Sequence, residues 1–154
     1  MTEIEYEIGE SERLDSIESL WVKLNIHHAE VSPHFSDQFR LNRFEKRKLD
    51  LVQKSARGKL RVEIAKAKAD SRIVGYCIGT VCSDRVGEID SIYVDSPFRG
   101  QGIAEQLMSN IMCWLDSHDV IQKIVTVATG NESILPLYQK YGFFPRISTL
   151  VYKD

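Results

Sequence analysis

The sequence predicts a mixed α/β fold around an antiparallel meander, and three observations predict it: the apolar period shortens near Leu60, three β-like stretches follow one another across short polar turns, and helical stripes lie on either side of them. Before the meander, Leu14, Ile17, Leu20, Trp21 and Leu24 recur at helical spacing behind Ser11, a candidate N-cap, so an amphipathic helix is expected near the start. A second helical stretch is expected from Ser36 to Arg57, with Phe39, Phe44, Leu51 and Val52 among many charges, and Gly58 is placed to end it.

From Leu60 the pattern turns to strands. Leu60, Val62 and Ile64 alternate with Arg61, Glu63 and Ala65, the two-residue repeat of a half-buried strand. Asp70 to Arg72 read as a turn, Ile73 to Cys82 as a nearly unbroken apolar strand, Ser83 to Arg85 as a second turn, and Glu88 to Val94 as the third strand. Beyond Pro97 a helix is expected on the stripe Ile103, Leu107, Met108, Ile111, Met112 and Leu115. A further short strand (Lys123 to Ala128), a short helix from Ser133 to Tyr141 closed by Gly142, and a last strand from Ile147 to Tyr152 complete the order. With 154 residues, no internal repeat and no linker, residues 1–154 are expected to form one domain.

Composition narrows the function. Apolar residues at 43% and charged residues at 27% describe a globular chain. A formal charge of -2 offers no whole-molecule attraction to nucleic acid or anionic lipid, so neither is an expected partner. Cys77, Cys82 and Cys113 form no CxxC pair and sit in apolar runs, which reads as reduced core thiols. The acidic first residues lack the basic start and apolar run of a secretory signal, and no stretch approaches a membrane span, so a cytoplasmic protein is expected. His27, His28 and His34 match neither HExxH nor a zinc-finger spacing, so no metal is expected.

The segment with chemistry in it is Ile89 to Met108, IDSIYVDSPFRGQGIAEQLM. A strand feeds a glycine turn that opens a helix, which gathers unpaired amides at the positive end of a helix dipole and makes an anion site. A Walker loop is excluded because Ile103 follows Gly102 where Lys is needed, and the dinucleotide fingerprint fails at Glu105, where its third glycine should stand.

This segment resembles motif A of the GNAT superfamily of N-acetyltransferases, [QR]xxGx[GA], with Arg99, Gly102 and Ala104 at the defining positions. A second segment, Asn131 to Phe143 (NESILPLYQKYGF), resembles the family's NxxAxxLYxKxGF, although Leu135 or Pro136 stands where a small residue is usual. The resemblance covers about the last half of the chain. It implies a GNAT fold, with a central, mostly antiparallel, splayed mixed sheet flanked by helices. It implies acetyl-CoA as cosubstrate, an amine as acceptor, and possible homodimers.

The resemblance also implies roles. The amides of Arg99, Gly100, Gln101, Gly102, Ile103 and Ala104 would hold the pyrophosphate, and Ile92 and Val94 on a bulged strand would meet the pantetheine arm. Asn131 and Tyr138 join this binding set. Tyr138 matches the tyrosine that faces the CoA sulfur in many members, so a phenol is available to protonate the leaving thiolate. Glu88 stands where some relatives carry a glutamate base, with Asp90 two residues along, and the Val94 N–H is the expected donor to the acetyl oxygen. Trp21, His28 and Phe35 are expected near the acceptor, which is expected to be small or cationic, the carboxylates Asp84, Glu88 and Asp90 favouring a cation. A CoA-binding regulatory module without turnover and an acyltransferase for longer chains share the same donor residues.

Overall fold

A computed structural model describes residues 1–154. Its centre is one five-stranded sheet in the order β1 (Ile4–Gly9), β2 (Lys59–Ala67), β3 (Ile73–Val81), β4 (Val86–Val94) and β5 (Gln122–Val125). The first four strands pair antiparallel and β5 joins β4 in parallel. The helices are α1 (Glu18–Val31), α2 (Ser36–Leu41), α3 (Phe44–Lys54), α4 (Ile103–Asp116) and α5 (Leu135–Lys140).

The sheet separates two apolar cores. On one face, Ile103, Leu107, Met108, Ile111 and Leu115 of α4 pack on Val74, Cys77, Ile89, Ile92 and Val94, with Tyr138 of α5 beside them. The α4 stripe has the expected helical period, and Gly79 explains how close the helix comes: a Cβ there would lie 2.8 Å from Ile111 Cδ1. On the other face, Leu14, Ile17, Leu20, Trp21, Phe44 and Leu51 cover Val62, Ile64, Tyr76 and Ile78.

Several expectations need correction. β1 was not expected. Ile4, Tyr6 and Ile8 do alternate with Glu5 and Glu7, but burial does not follow that period: Tyr6 and Ile8 are exposed, and Glu7 is half-buried between Arg13 and Lys66. Ser11 does not cap an α-helix: residues Ser11–Ile17 form a 3-10 turn and α1 begins at Glu18. The long helix from 36 to 57 is two, broken by extended backbone at Asn42 and Arg43. The break has a visible cause, because the Phe39 carbonyl that would accept from the next turn is taken by Asn42 N–H at 3.0 Å and by Asn25 Nδ2 at 2.7 Å.

The expected last strand, Ile147 to Tyr152, is absent. Residues from Phe144 onward make no hydrogen bond to the rest of the chain, and Ile147, Leu150 and Tyr152 are exposed. Strand propensity without a neighbour to pair with does not make a strand. Cys77 is a core residue as expected, but Cys113 lies off the α4 stripe and is exposed. No helix is long and apolar enough to cross a membrane.

Candidate functional site

The site is assembled where β4 ends. Asp95 closes the strand: its carboxylate accepts from Ser96 N–H at 3.1 Å and pairs with Lys23 of α1 at 3.0 Å. A 3-10 turn over Ser96–Phe98 leads into Arg99 to Gly102, and α4 follows. Gly100 and Gly102 have φ of 77° and 80°, a region that L side chains enter only at a cost, and a Cβ on either would project into open space. The amides from Gly100 to Glu105 have no acceptor in the protein. The first to find one is Gln106, which donates to Gly102 O at 3.0 Å. Six consecutive uncommitted N–H groups at the head of a 14-residue helix make a binding place for a phosphate chain.

The neighbouring strand opens a path from this loop into the molecule. β5 pairs with β4 only as far as Ile89 and Val125, after which the two diverge. Opposite β3, Gly79 aligns with Ile89 and Ile78 with Ser91, so Asp90 is an extra, bulged residue. Asp95 N–H donates to Val74 O at 2.8 Å, which sets the alternation: Tyr93 and Asp95 turn their main-chain groups toward β3, and Val94 turns its own toward the gap. In that gap Arg99 Nε donates to Val94 O at 2.9 Å while the guanidinium rests 5.2 Å from the Tyr93 ring centre. A cleft of about 470 Å³ runs through the gap, with Arg99 and Ala104 at one part, Ile92, Val94, Asn131 and Tyr138 along it, and Trp21, His28, Phe39 and Arg47 at another.

The expected residues divide accordingly. Arg99, Ala104, Ile92, Val94, Asn131 and Tyr138 line one cleft, and Gly100, Gln101, Gly102 and Ile103 form the turn beside it. Gln101 also ties down the first residues, accepting Thr2 N–H on its side-chain oxygen at 2.9 Å. Tyr138 is 6% exposed, and its hydroxyl has no protein partner although it is not sealed off. Burial pushes its phenol well up, with a smaller push from Cys77, so it keeps its proton at neutral pH. Asn131 Oδ1 meets His27 Nε2 at 3.1 Å.

Glu88 is not brought to this cleft. Its carboxylate lies 2.8 Å from Lys54 Nζ on α3. Asp90 belongs to the lining, but its side chain is 1% exposed and is held by Lys54 and by Thr80 Oγ1, the latter at 2.7 Å. Burial raises the Asp90 carboxyl above its usual range despite those two partners. For Lys54, burial alone would lower the ammonium, but hydrogen bonds to Asp90 and Glu88 more than reverse that. Phe35 and Asp84 also lie outside the cleft, and no group of three or more His, Cys, Asp or Glu could hold a metal ion.

His28 does line the cleft, its ring 5.4 Å from that of Phe39, and burial followed by the neighbouring His27 lowers its pKa. A histidine depressed on folding binds its proton more readily when unfolded, so it contributes stability above its unfolded pKa of about 6.5 that is lost as pH falls. The melting temperature of the wild type is therefore expected to drop between pH 7 and pH 5 more steeply than that of His28→Gln, as read by thermal denaturation at matched ionic strength.

Over residues 25–143, well over half of the chain, the sequence matches the acetyltransferase (GNAT) family. This chain is a GNAT acetyltransferase. Solved structures share the acetyltransferase's fold at low identity. A ribosomal-protein-alanine N-acetyltransferase from Brucella melitensis biovar Abortus 2308 is 16% identical with a TM-score of 0.66, and 99% of each chain is covered. A putative acetyl transferase from Pyrococcus furiosus is 18% identical with a TM-score of 0.71, over 97% of this chain and 100% of that one. The enzyme AAC(6')-Iy, solved with the bisubstrate analogue CoA-S-monomethyl-acetylneamine, is 17% identical with a TM-score of 0.64 over 99% of each chain. Among curated proteins no sequence matches significantly.

The acetyltransferase also places in the cleft side chains that were not expected there: Asn25, Asn42 and Arg47, together with His27, weighed only as a metal ligand, and Phe39, read only as part of a helical stripe. Arg47 is one of seven Lys and Arg residues between Arg40 and Arg57, and no local pattern separates it from its solvated neighbours. Its distinction is positional, because α3 carries it against the β4 bulge, where Nη2 donates to Asp90 O at 3.0 Å.

Proposed function

We propose that this protein transfers the acetyl group of acetyl-CoA directly to a primary amine. The observation that carries the reading is the run of uncommitted amides from Gly100 to Glu105 beside a cleft that Arg99, Ala104 and Tyr138 share. These groups fit a diphosphate: two open-sided glycines allow close backbone approach and the helix dipole favours the charge.

Acetyl-CoA supplies an activated thioester. The turn amides and Arg99 would hold its diphosphate, and the gap-facing main chain of Ile92 to Val94 would hydrogen-bond its pantetheine amides, with Asn131 on the opposite wall. Val94 N–H points into the gap and is the donor for the acetyl oxygen as charge builds there. The acceptor nitrogen bonds to the acetyl carbon, the carbon–sulfur bond breaks, and Tyr138 donates its proton to the departing sulfur. No enzyme nucleophile is required: Cys77 is fully buried and its thiol is pushed well up by burial, then by Glu63 and Asp90.

A lysine-like amine of pKa about 10.4 must lose a proton at pH 7, at a cost of roughly 4–5 kcal/mol. Glu88 and Asp90 are both engaged by Lys54, so on this reading they act on Lys54 and the amine's proton passes to water at the cleft mouth. Neighbours of the fold act on a ribosomal protein or bind an aminoglycoside analogue, so the fold alone does not rank acceptors.

The test is binding and turnover together. Calorimetry with acetyl-CoA is expected to show binding, and a thiol reagent is expected to show CoA released when a suitable amine is added. Gly102→Val is expected to weaken acetyl-CoA by about tenfold or more, because a branched Cβ enters the cradle at a positive φ, while costing the fold about 1–2 kcal/mol. Equal affinity in wild type and variant would remove the turn from the donor site.

A further inference from the structure

Three residues with formal charge line the cleft: Arg47, Asp90 and Arg99. Asp90 is spent, its carboxylate enclosed with Lys54 and Thr80. Arg99 belongs to the donor half, beside the amide turn, bonded to Val94 O and stacked on Tyr93. Arg47 remains, on the wall formed with Trp21, Leu24, His28 and Phe39. It is half-buried, it has no carboxylate within ion-pair distance, and its one hydrogen bond goes to a neutral main-chain carbonyl, Asp90 O at 3.0 Å. One Nη2–H is thus committed, and the rest of a five-donor fork is not.

A guanidinium that has lost part of its hydration without gaining a counter-charge is stabilised by an anion brought from outside, and its planar fork suits a carboxylate with two parallel bonds. No free carboxylate balances it within the cleft, so a polycation entering here would meet an unopposed positive charge.

Resting on the acetyl-transfer reading above, we propose that the acceptor is a primary amine that also carries a carboxylate, and that Arg47 is the residue that binds the carboxylate. An amino acid, or a compound with an amine and an acid at similar separation, presents both groups. Phe39 and Trp21 supply apolar surface for whatever joins them, and the side-chain amides of Asn25 and Asn42 sit at the same wall. The Asp90 O contact keeps the arginine aimed across the bulge, so the acidic end of the acceptor is fixed on α3 while its nitrogen is directed along the cleft toward Val94. The structure thereby shifts the expected acceptor from a cation toward a zwitterion.

The test uses acetyl-CoA with a panel of amino acids, each alongside its C-terminal amide and its decarboxylated amine, plus spermidine as a polycation. Wild-type kcat/KM is expected to favour the carboxylate member of at least one trio by roughly tenfold or more, after correction for each amine's pKa, since a charge-assisted bidentate pair is about twice as strong as a neutral one. Arg47→Gln is expected to collapse that ratio toward one, chiefly through KM, with acetyl-CoA affinity kept. Arg47→Lys is expected to recover part of it, because charge is restored without the fork.

A wild-type preference for amides or spermidine overturns the proposal without any variant being needed. An Arg47→Gln protein that loses all acceptors in equal proportion also overturns it, and makes Arg47 a brace for the bulge. CoA release without carboxylate preference sinks this inference alone, whereas absence of both acetyl-CoA binding and CoA release sinks the transfer reading with it.

Discussion

Tyr138→Phe is expected to lower kcat by about 10²-fold, the low end of the 10²–10⁴ range for a positioned proton donor. The leaving sulfur sets that end, because a thiol of pKa about 8.5 departs fairly well even as thiolate. The phenol is kept in its protonated form by burial, so the loss should be seen across the working pH range and no alkaline limb should be assigned to it. The hydroxyl has no protein partner to orphan, so melting temperature and acetyl-CoA affinity should change little. Steady-state rates with a fast acceptor, set against thermal melts of the same two proteins, check this. A rate within twofold of wild type would leave Tyr138 as a wall of the cleft and no more.

The second large effect is on stability. Leu107 is fully buried at the centre of the α4 stripe, against the sheet face that carries Ile89, Ile92 and Val94. Leu107→Ala removes the three carbons of an isopropyl group from a close-packed interior and is expected to cost about 2–5 kcal/mol, a fall in melting temperature on the order of 10 °C for a chain of this size. Cys113→Ala on the same helix is exposed and is expected to stay within about 0.5 kcal/mol of wild type. Equal melting points for the two variants would mean that α4 is not held by this stripe. Because α4 bears the amide turn at its head, the same packing that fixes the helix also fixes the direction of those amides.

How far the sequence could be read follows from where its signals were local. The meander β2 to β4 and the α4 stripe announce themselves because each buries a continuous apolar face, and the period alone reports it. The turn from Arg99 to Ala104 was legible because glycine placement and helix entry are decided within a few residues. β1 carries the two-residue period, Ile4, Tyr6 and Ile8 against Glu5 and Glu7, yet it is only six residues long. As an edge strand it leaves Tyr6 and Ile8 exposed while Glu7 pairs with Arg13 and Lys66, so its place comes from β2 and not from an apolar face of its own. The break at Asn42 depends on Asn25, seventeen residues upstream, which no window over α2 and α3 contains. Ile147 to Tyr152 had the composition of a strand, but pairing is a property of two segments. Arg47 was invisible for the same kind of reason: its chemistry comes from facing the β4 bulge, a neighbour 43 positions away.

The bulge itself has a further effect on β4. Ile89, Ile92 and Val94 all face α4, yet the first two are an odd number of positions apart, a spacing that plain alternation sends to opposite sides. The surplus residue at 90 rephases the strand, so Ser91 and Tyr93 reach the α1 side, where Ser91 meets the Tyr76 hydroxyl at 2.7 Å. Chain length at this point is thus more tightly constrained than residue identity: a one-residue deletion would turn Ile92 and Val94 out of their core and Tyr93 into it, whereas many side chains could stand at any one position without changing the parity of the rest.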